Sequence, residues 1–191
     1  MISIYDFYSR NKRSMITIKT SEMPAELLAQ YLDPINNEKL PDNVTFKIAK
    51  GKKAYDIIGL HESWFVFFSQ KVIDTLSNFI DMSKKCQPLK ISELDQQYYY
   101  INNLKAFSFH NHKELRLMYE PKYYGVKDTS IPIFGIKGTS SIMVTEDVKN
   151  ALLKNKLTNI ELVEGFGCSF EEYIRIRMLN FTPEVHAYRD K

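Results

Sequence analysis

The sequence predicts an α+β fold in which two degenerate strand–helix–strand units share a mixed or antiparallel sheet core. The first observation is an apolar run at residues 64–68 that stops at Ser69. Apolar residues then recur at helical spacing, at Val72, Ile73 and Leu76. This order is typical of a buried strand, a helix N-cap and an amphipathic helix, and it predicts a helix over residues 70–81.

The second observation is a copy of this pattern at residues 142–153. Thr145 takes the place of Ser69, Val148 that of Val72, and Leu152 that of Leu76. Acidic residues begin the second helix, where they suit the helix dipole. Two copies so far apart indicate a pseudo-repeat and not a solenoid.

The remaining elements follow from alternation, caps and breakers. We predict strands around Ile4 and Ile18 and a helix at 24–32 that has Pro24 at its first position. Further extended segments are predicted at 44–49, 55–60, 88–91, 97–109, 131–136 and 157–163. Residues 170–179, with Ser169 as a cap, fit a last helix or a strand. We expect an N-terminal segment, residues 1–60, packed on a core of residues 61–191, with one continuous domain over 1–191 as the alternative.

Composition restricts the class of protein. The chain has 191 residues, of which 44% are apolar, so it can bury a sizeable core. Its net charge of +3 comes from 26 basic and 23 acidic residues. This balance is too weak for a dedicated nucleic-acid binder, and it is the wrong sign for a protein that plugs a basic nuclease groove.

Cysteine content and hydropathy predict a compartment. Cys86 and Cys168 stand far apart, which indicates reduced thiols and gives neither a disulfide framework nor a metal-ligand spacing. The first residues lack a signal-peptide pattern, and no apolar run is long enough to cross a membrane. We therefore expect a cytoplasmic protein that does not bind membranes.

Two groups of residues are candidates for chemistry. His110 and His112 form an H-x-H pair that would share one face of a strand, but no third zinc ligand is evident. Cys168 and His186 are a thiol and an imidazole without a local activating pattern. The plainer interpretation is surface histidines and a small buried cysteine. We expect a protein that is not an enzyme and has no cofactor, and a small enzyme that uses either pair is the alternative.

Tyrosines are the more informative set. Tyr98, Tyr99 and Tyr100 are consecutive, so tyrosine lies on both faces of that predicted strand, and a second cluster follows. Exposed tyrosine is enriched at protein interfaces. The candidate partner-binding residues are Tyr98, Tyr100, Tyr119, Tyr123 and Tyr124.

Four segments occur in an order that resembles a known family. They are WFVFFSQKVIDTL, QQYYYINNL, IPIFGI and SIMVTEDVKNALLKNKLTNIELVE. Together they resemble immunity proteins of bacterial polymorphic-toxin systems over roughly residues 60–165. Tyr99, Tyr100, Ile101 and Asn102 match the middle motif, and Val144, Thr145, Glu146, Val148, Lys149, Ala151 and Leu152 match the last helix. The chain departs from the pattern at Gln70, where glutamate is common, and at Asn159, where glycine is frequent.

The resemblance implies a fold and a role. It implies a protein that binds a cognate toxin domain by direct contact and neutralises it, without nucleic acid or membrane as partner. The matched positions are structural ones, and they mark no catalytic residue.

Overall fold

The strands of the protein form two sheets, which confirms the α+β class. The computed structural model describes residues 4–10, 12–107 and 131–164. The strands are β1 (Ile4–Ser9), β2 (Thr17–Lys19), β3 (Lys47–Lys50), β4 (Ile57–Leu60), β5 (Val66–Ser69), β6 (Cys86–Pro88), β7 (Tyr98–Ile101), β8 (Ala106–Phe107), β9 (Ile133–Ile136), β10 (Ile142–Thr145) and β11 (Ile160–Glu164). The helices are α1 (Ala25–Leu32), α2 (Gln70–Leu76) and α3 (Glu146–Lys154), with one 3₁₀ turn at Met82–Lys84.

The two sheets differ in size and both are mixed. The five-stranded sheet has the order β11-β1-β10-β9-β8, and the six-stranded sheet has the order β3-β2-β4-β5-β7-β6. Most neighbours are antiparallel, whereas β8 pairs with β9 and β2 pairs with β4 in parallel. Each predicted strand–helix junction is present, because α2 follows β5 directly and α3 follows β10 directly. The first unit therefore belongs to the larger sheet and the second to the smaller.

The N-terminal residues contribute strands to both sheets. β1 lies between β10 and β11, where Phe7 is opposite Ile142 on one side and Leu162 on the other. β4 pairs with β5, across the predicted boundary between residues 60 and 61.

One hydrophobic core joins both sheets and both repeat helices. Phe7 of β1 and Phe68 of β5 meet in it with their ring centroids 5.2 Å apart. Val72 and Leu76 of α2, with Val148 and Leu152 of α3, are its fully buried helical residues. The spacing that predicted the two helices therefore reflects one shared packing surface.

A second core covers the opposite face of the six-stranded sheet. Leu28 and Leu32 of α1, with Phe46 from the connection after it, pack against Phe67, Tyr98 and Tyr100. This sheet is consequently buried on both faces, which explains the unbroken apolar run of β5.

Two predicted elements end early or are interrupted in the structure, and the strand predicted at 88–91 lies instead at Cys86–Pro88. The helix predicted at 70–81 ends at Leu76, because the side chains of Thr75, Ser77 and Asn78 donate to carbonyls three or four residues earlier. The strand predicted at 97–109 is interrupted between β7 and β8, where Asn103 has φ 54°. There the N–H groups of Asn103 and Leu104 donate to the carbonyls of Asn36 and Pro34, which lie in the connection after α1.

A glycine lets that connection approach the smaller sheet. A Cβ on Gly135 would lie 2.3 Å from Cγ2 of Ile35, so only glycine fits at this position of β9. The helices in the described ranges are all too short or too polar to cross a membrane. The predicted element at 170–179 lies outside the described residues.

Candidate protein-interaction surface

The structure buries two of the tyrosines that were predicted to bind a partner. Tyr98 and Tyr100 are 0% and 2% exposed and belong to the second core. The prediction that they lie at an exposed interface is wrong, because α1 and the connection after it cover that face of β7. Consecutive tyrosines show that both faces of a strand are aromatic, but they do not show which face another element covers.

Both phenols have structural hydrogen bonds. The Tyr98 hydroxyl donates to the carbonyl oxygen of Tyr55 over 2.6 Å, and the N–H of Leu40 donates to the Tyr100 hydroxyl oxygen over 2.9 Å. Burial raises the pKa of Tyr98, with Asp56 adding to the effect, and burial raises the pKa of Tyr100. These two residues therefore hold flanking segments on the sheet.

The other predicted site residues all lie outside the described ranges, whereas Cys86, the other cysteine of the chain, is described. Cys86 is half-buried, and its thiol donates to the carbonyl of Met82 over 3.1 Å. Burial raises the pKa of this thiol, which makes it a weaker nucleophile. The residues outside the described ranges are Tyr119, Tyr123, Tyr124, His110, His112, Cys168 and His186. Within the described ranges no three histidine, cysteine or acidic side chains are placed to hold a metal ion.

An aspartate that the sequence analysis did not select ties the two units together. Asp56 accepts the Ser69 hydroxyl at 2.9 Å, and it accepts both the N–H and the hydroxyl of Thr158 at 2.7 Å. Burial alone would raise the pKa of Asp56, but these hydrogen bonds and the nearby Lys71 outweigh it and lower that pKa. Ser69 thus stands at the predicted helix start, yet its hydroxyl serves this link and does not cap the helix.

Asn159 completes the link between the units. Its backbone has φ 64°, a left-handed conformation that favours glycine or asparagine. The side-chain amide donates to the carbonyl of Ile57 over 3.1 Å and lies 2.8 Å from the sulfur of Met15. Asparagine adopts this conformation more readily than most residues other than glycine, which accounts for its presence at this position.

Six exposed cations come together on two turns that are distant in sequence. We call them the basic turns; they consist of Arg10, Lys12, Arg13, Lys50, Lys52 and Lys53. The N–H groups of Lys52 and Lys53 both donate to the carbonyl of Ser14, at 3.0 and 2.9 Å. Gly51 has φ 87°, and a Cβ there would lie 1.9 Å from the carbonyl oxygen of Met15. The two turns are therefore held against each other by close backbone contact.

A buried tyrosine lies between the basic turns. The ammonium groups of Lys12 and Lys53 are 4.8 and 5.0 Å from the ring centroid of Tyr55, within cation–π distance. The ring itself is only 8% exposed, and its hydroxyl is 3.0 Å from that of Ser14. Tyr55 therefore stabilises the ammonium groups of Lys12 and Lys53 close to each other, and its own side chain offers little surface to a partner.

A second exposed feature lies at the other end of β4. Trp64 is 62% exposed in the turn that joins β4 to β5, close to Glu62, which has φ 55°. Large exposed aromatics are frequent at protein interfaces. The described surface thus offers an aromatic turn at one end of β4 and a cationic surface at the other.

No protein-family model and no curated protein matches this chain. The basic turns were not predicted, because residues 10–13 and 50–53 are distant in sequence and no local pattern indicates that they meet. The only available signal was that both turns are rich in lysine and arginine and contain no acid.

Proposed function

We propose that this protein is an immunity protein that binds a cognate bacterial toxin domain by direct contact and neutralises it in the cytoplasm of the producing cell. Such a role depends on a rigid scaffold and a complementary surface. It requires no catalytic residue and no cofactor.

The observation that carries the proposal is the position of the motif residues in the fold. Val144, Val148 and Leu152 are each fully buried in the core that joins both sheets. In the middle motif, the amide of Asn102 donates to the carbonyl of Glu38 over 3.1 Å and so anchors the connection after α1. The segments that resemble immunity proteins are therefore those that build the scaffold, as a shared architecture would require.

Asn159 adds support of a second kind. Its left-handed backbone needs the conformational freedom that the motif usually obtains from glycine. An asparagine in place of glycine can still adopt the left-handed backbone, so this difference from the motif is consistent with the same architecture.

Co-expression tests the proposal. The chain is expressed together with the C-terminal toxin domain encoded by the adjacent gene, and both growth and co-purification are followed. Rescue of growth together with a stable complex is the expected result. A Leu152→Asp variant, which places a charge in the core, serves as the control that should neither rescue nor bind.

Two other outcomes would contradict the proposal. Continued killing without a complex would show that the chain does not neutralise this toxin. Rescue without any complex would favour the alternative of a small enzyme, and His110, His112, Cys168 and His186 would then be substituted first.

A further inference from the structure

We infer that the basic turns are the docking surface for an acidic face of the toxin domain. This inference rests on the proposed function, and it names the part of the surface that makes contact and the charge of the partner.

The first argument is the local excess of positive charge. Residues 10–19 and 47–55 contain no acidic residue. Among the described residues, the carboxylates that reach this region lie at its margins: Glu161 is 3.7 Å from Nε of Arg10, and Glu93 accepts the N–H of Ile48 over 2.5 Å. Asp56 is adjacent in sequence, but its oxygens accept hydrogen bonds from Ser69 and Thr158. The other five cations consequently present a field of one sign to the solvent.

The second argument is that the charges are held in place before any partner arrives. The backbone contacts between the two turns fix the relative positions of the residues that carry them. Contact with the ring of Tyr55 further restricts Lys12 and Lys53. A surface ordered in advance loses less entropy on binding, which raises affinity.

The third argument is the contrast with the rest of the chain. Of the 26 basic residues, six belong to the basic turns, so acids outnumber bases by 23 to 20 elsewhere. The net positive charge of the chain is therefore concentrated on the basic turns, and a surface of this sign is steered towards an acidic partner.

An acidic protein face fits these turns better than a nucleic acid does. Single-stranded nucleic acids need exposed aromatic rings on which bases stack, whereas the Tyr55 ring is buried beneath lysines.

Charge reversal tests the inference. The triple variant Arg13→Glu, Lys50→Glu and Lys52→Glu leaves the contacts to Tyr55 and Glu161 intact. The matched control, Lys39→Glu, Lys84→Glu and Lys137→Glu, changes the net charge equally at exposed positions in other parts of the chain. Association rates of both variants with the adjacent-gene toxin domain are measured at about 50 mM and about 500 mM salt.

The expected result is an association rate at low salt that falls about tenfold or more for the basic-turn variant and less than about twofold for the control. The rate of the unaltered protein should fall with salt, and that of the basic-turn variant should depend on salt much less. Carbodiimide cross-linking, which joins lysines to carboxylates in contact, should link Lys52 or Lys53 to an acidic residue of the toxin.

Three outcomes would overturn the inference in distinguishable ways. A complex that forms equally fast with both triple variants would reject the basic turns and leave the proposed function intact. Absence of any complex with the unaltered protein would reject both. In the third outcome, the unaltered protein binds a duplex DNA or an RNA stem-loop in a salt-dependent way, and the basic-turn variant loses this binding while its toxin association is unchanged. That result would assign the turns to nucleic acid.

Discussion

The two strand–helix units use the same apolar positions and differ in nearly everything polar. Val72 and Val148 are equivalent and fully buried, and so are Leu76 and Leu152. α2 and α3 pack in the same core, and the amide of Asn155 donates to the hydroxyl of Thr75 over 3.0 Å. The repeat is therefore a repeat of packing positions.

The helices of the two units differ in length and in the polar residues of their terminal turns. α2 has seven residues and no acid in its first turn, and the hydroxyl of Ser77 donates to the carbonyl of Ile73 over 2.8 Å. α3 has nine residues, with Glu146 and Asp147 in its first turn and Lys154 in its last, which suits its dipole. Local polar chemistry thus sets helix length, whereas the apolar positions set helix placement.

One equivalent position shows how far the units have diverged. Ile73 is buried in the core, whereas Lys149 takes its place in α3. The Lys149 ammonium donates to the Tyr5 hydroxyl over 2.9 Å and lies 4.1 Å from the ring centroid. The hydrogen bond to Tyr5 raises the pKa of Lys149, and Glu146 adds to the effect. The second unit thus replaces an apolar contact with a cation that covers an aromatic ring.

The largest expected effect tests whether the two units are energetically equivalent. Leu76→Ala and Leu152→Ala should each lower the free energy of unfolding by about 2–5 kcal/mol, because each removes a fully buried side chain. Chemical denaturation followed by circular dichroism measures both. Leu153→Ala is the control, since Leu153 is 54% exposed, and its effect should stay within about 0.5 kcal/mol. If only one of the two leucine substitutions lowered the free energy of unfolding by this much, only one unit would belong to the cooperative core.

A smaller effect tests the link between the units through Asp56. Asp56→Asn should lower the free energy of unfolding at neutral pH by about 1–2 kcal/mol, because hydrogen bonds to a charged acceptor become weaker. The native pKa of Asp56 is lowered, so its stabilising contribution is present above the unfolded value of about 3.9 and is lost as pH falls below it.

Denaturation as a function of pH provides the test of that link. The unaltered protein should lose more stability than Asp56→Asn as pH falls from about 5 to about 3, because the aspartate of the unfolded chain takes up its proton in this range while the native carboxylate, whose pKa is lowered, resists protonation. Asp95→Asn, at an exposed position, should retain the pH dependence of the unaltered protein. Parallel pH profiles for the unaltered protein and Asp56→Asn would contradict the role given to Asp56.

The smallest expected effect concerns Lys149, which takes the place of Ile73 in the second unit. Lys149→Met should lower the free energy of unfolding by about 1 kcal/mol, because it removes one hydrogen bond and one cation–π contact while keeping an apolar chain over Tyr5. Thermal denaturation measures the change, with exposed Lys154→Met as the control. An increase in stability would show that an apolar residue serves both units equally well.

The sequence by itself was sufficient for the two strand–helix junctions and for the α+β class. The apolar run, the polar residue at its end and the helical spacing are local patterns, and local backbone geometry follows from them. The same patterns predicted β9, β10 and α3 within a residue or two. They did not predict the end of α2, because the side chains of Thr75, Ser77 and Asn78 compete with further helical hydrogen bonds.

Only the tertiary structure decided which strands are neighbours and which faces are covered. β1 lies between β10 and β11 although most of the chain separates them, and no local pattern encodes such a pairing. α1 and the connection after it bury Tyr98 and Tyr100, since alternation along a strand does not reveal what lies above its faces. The basic turns arise in the same way, because pairing of β2 with β3 brings the turn that contains Lys52 and Lys53 against Ser14, next to Lys12 and Arg13. Contacts between residues distant in sequence, which depend on the packing of the whole chain, therefore created the proposed docking surface.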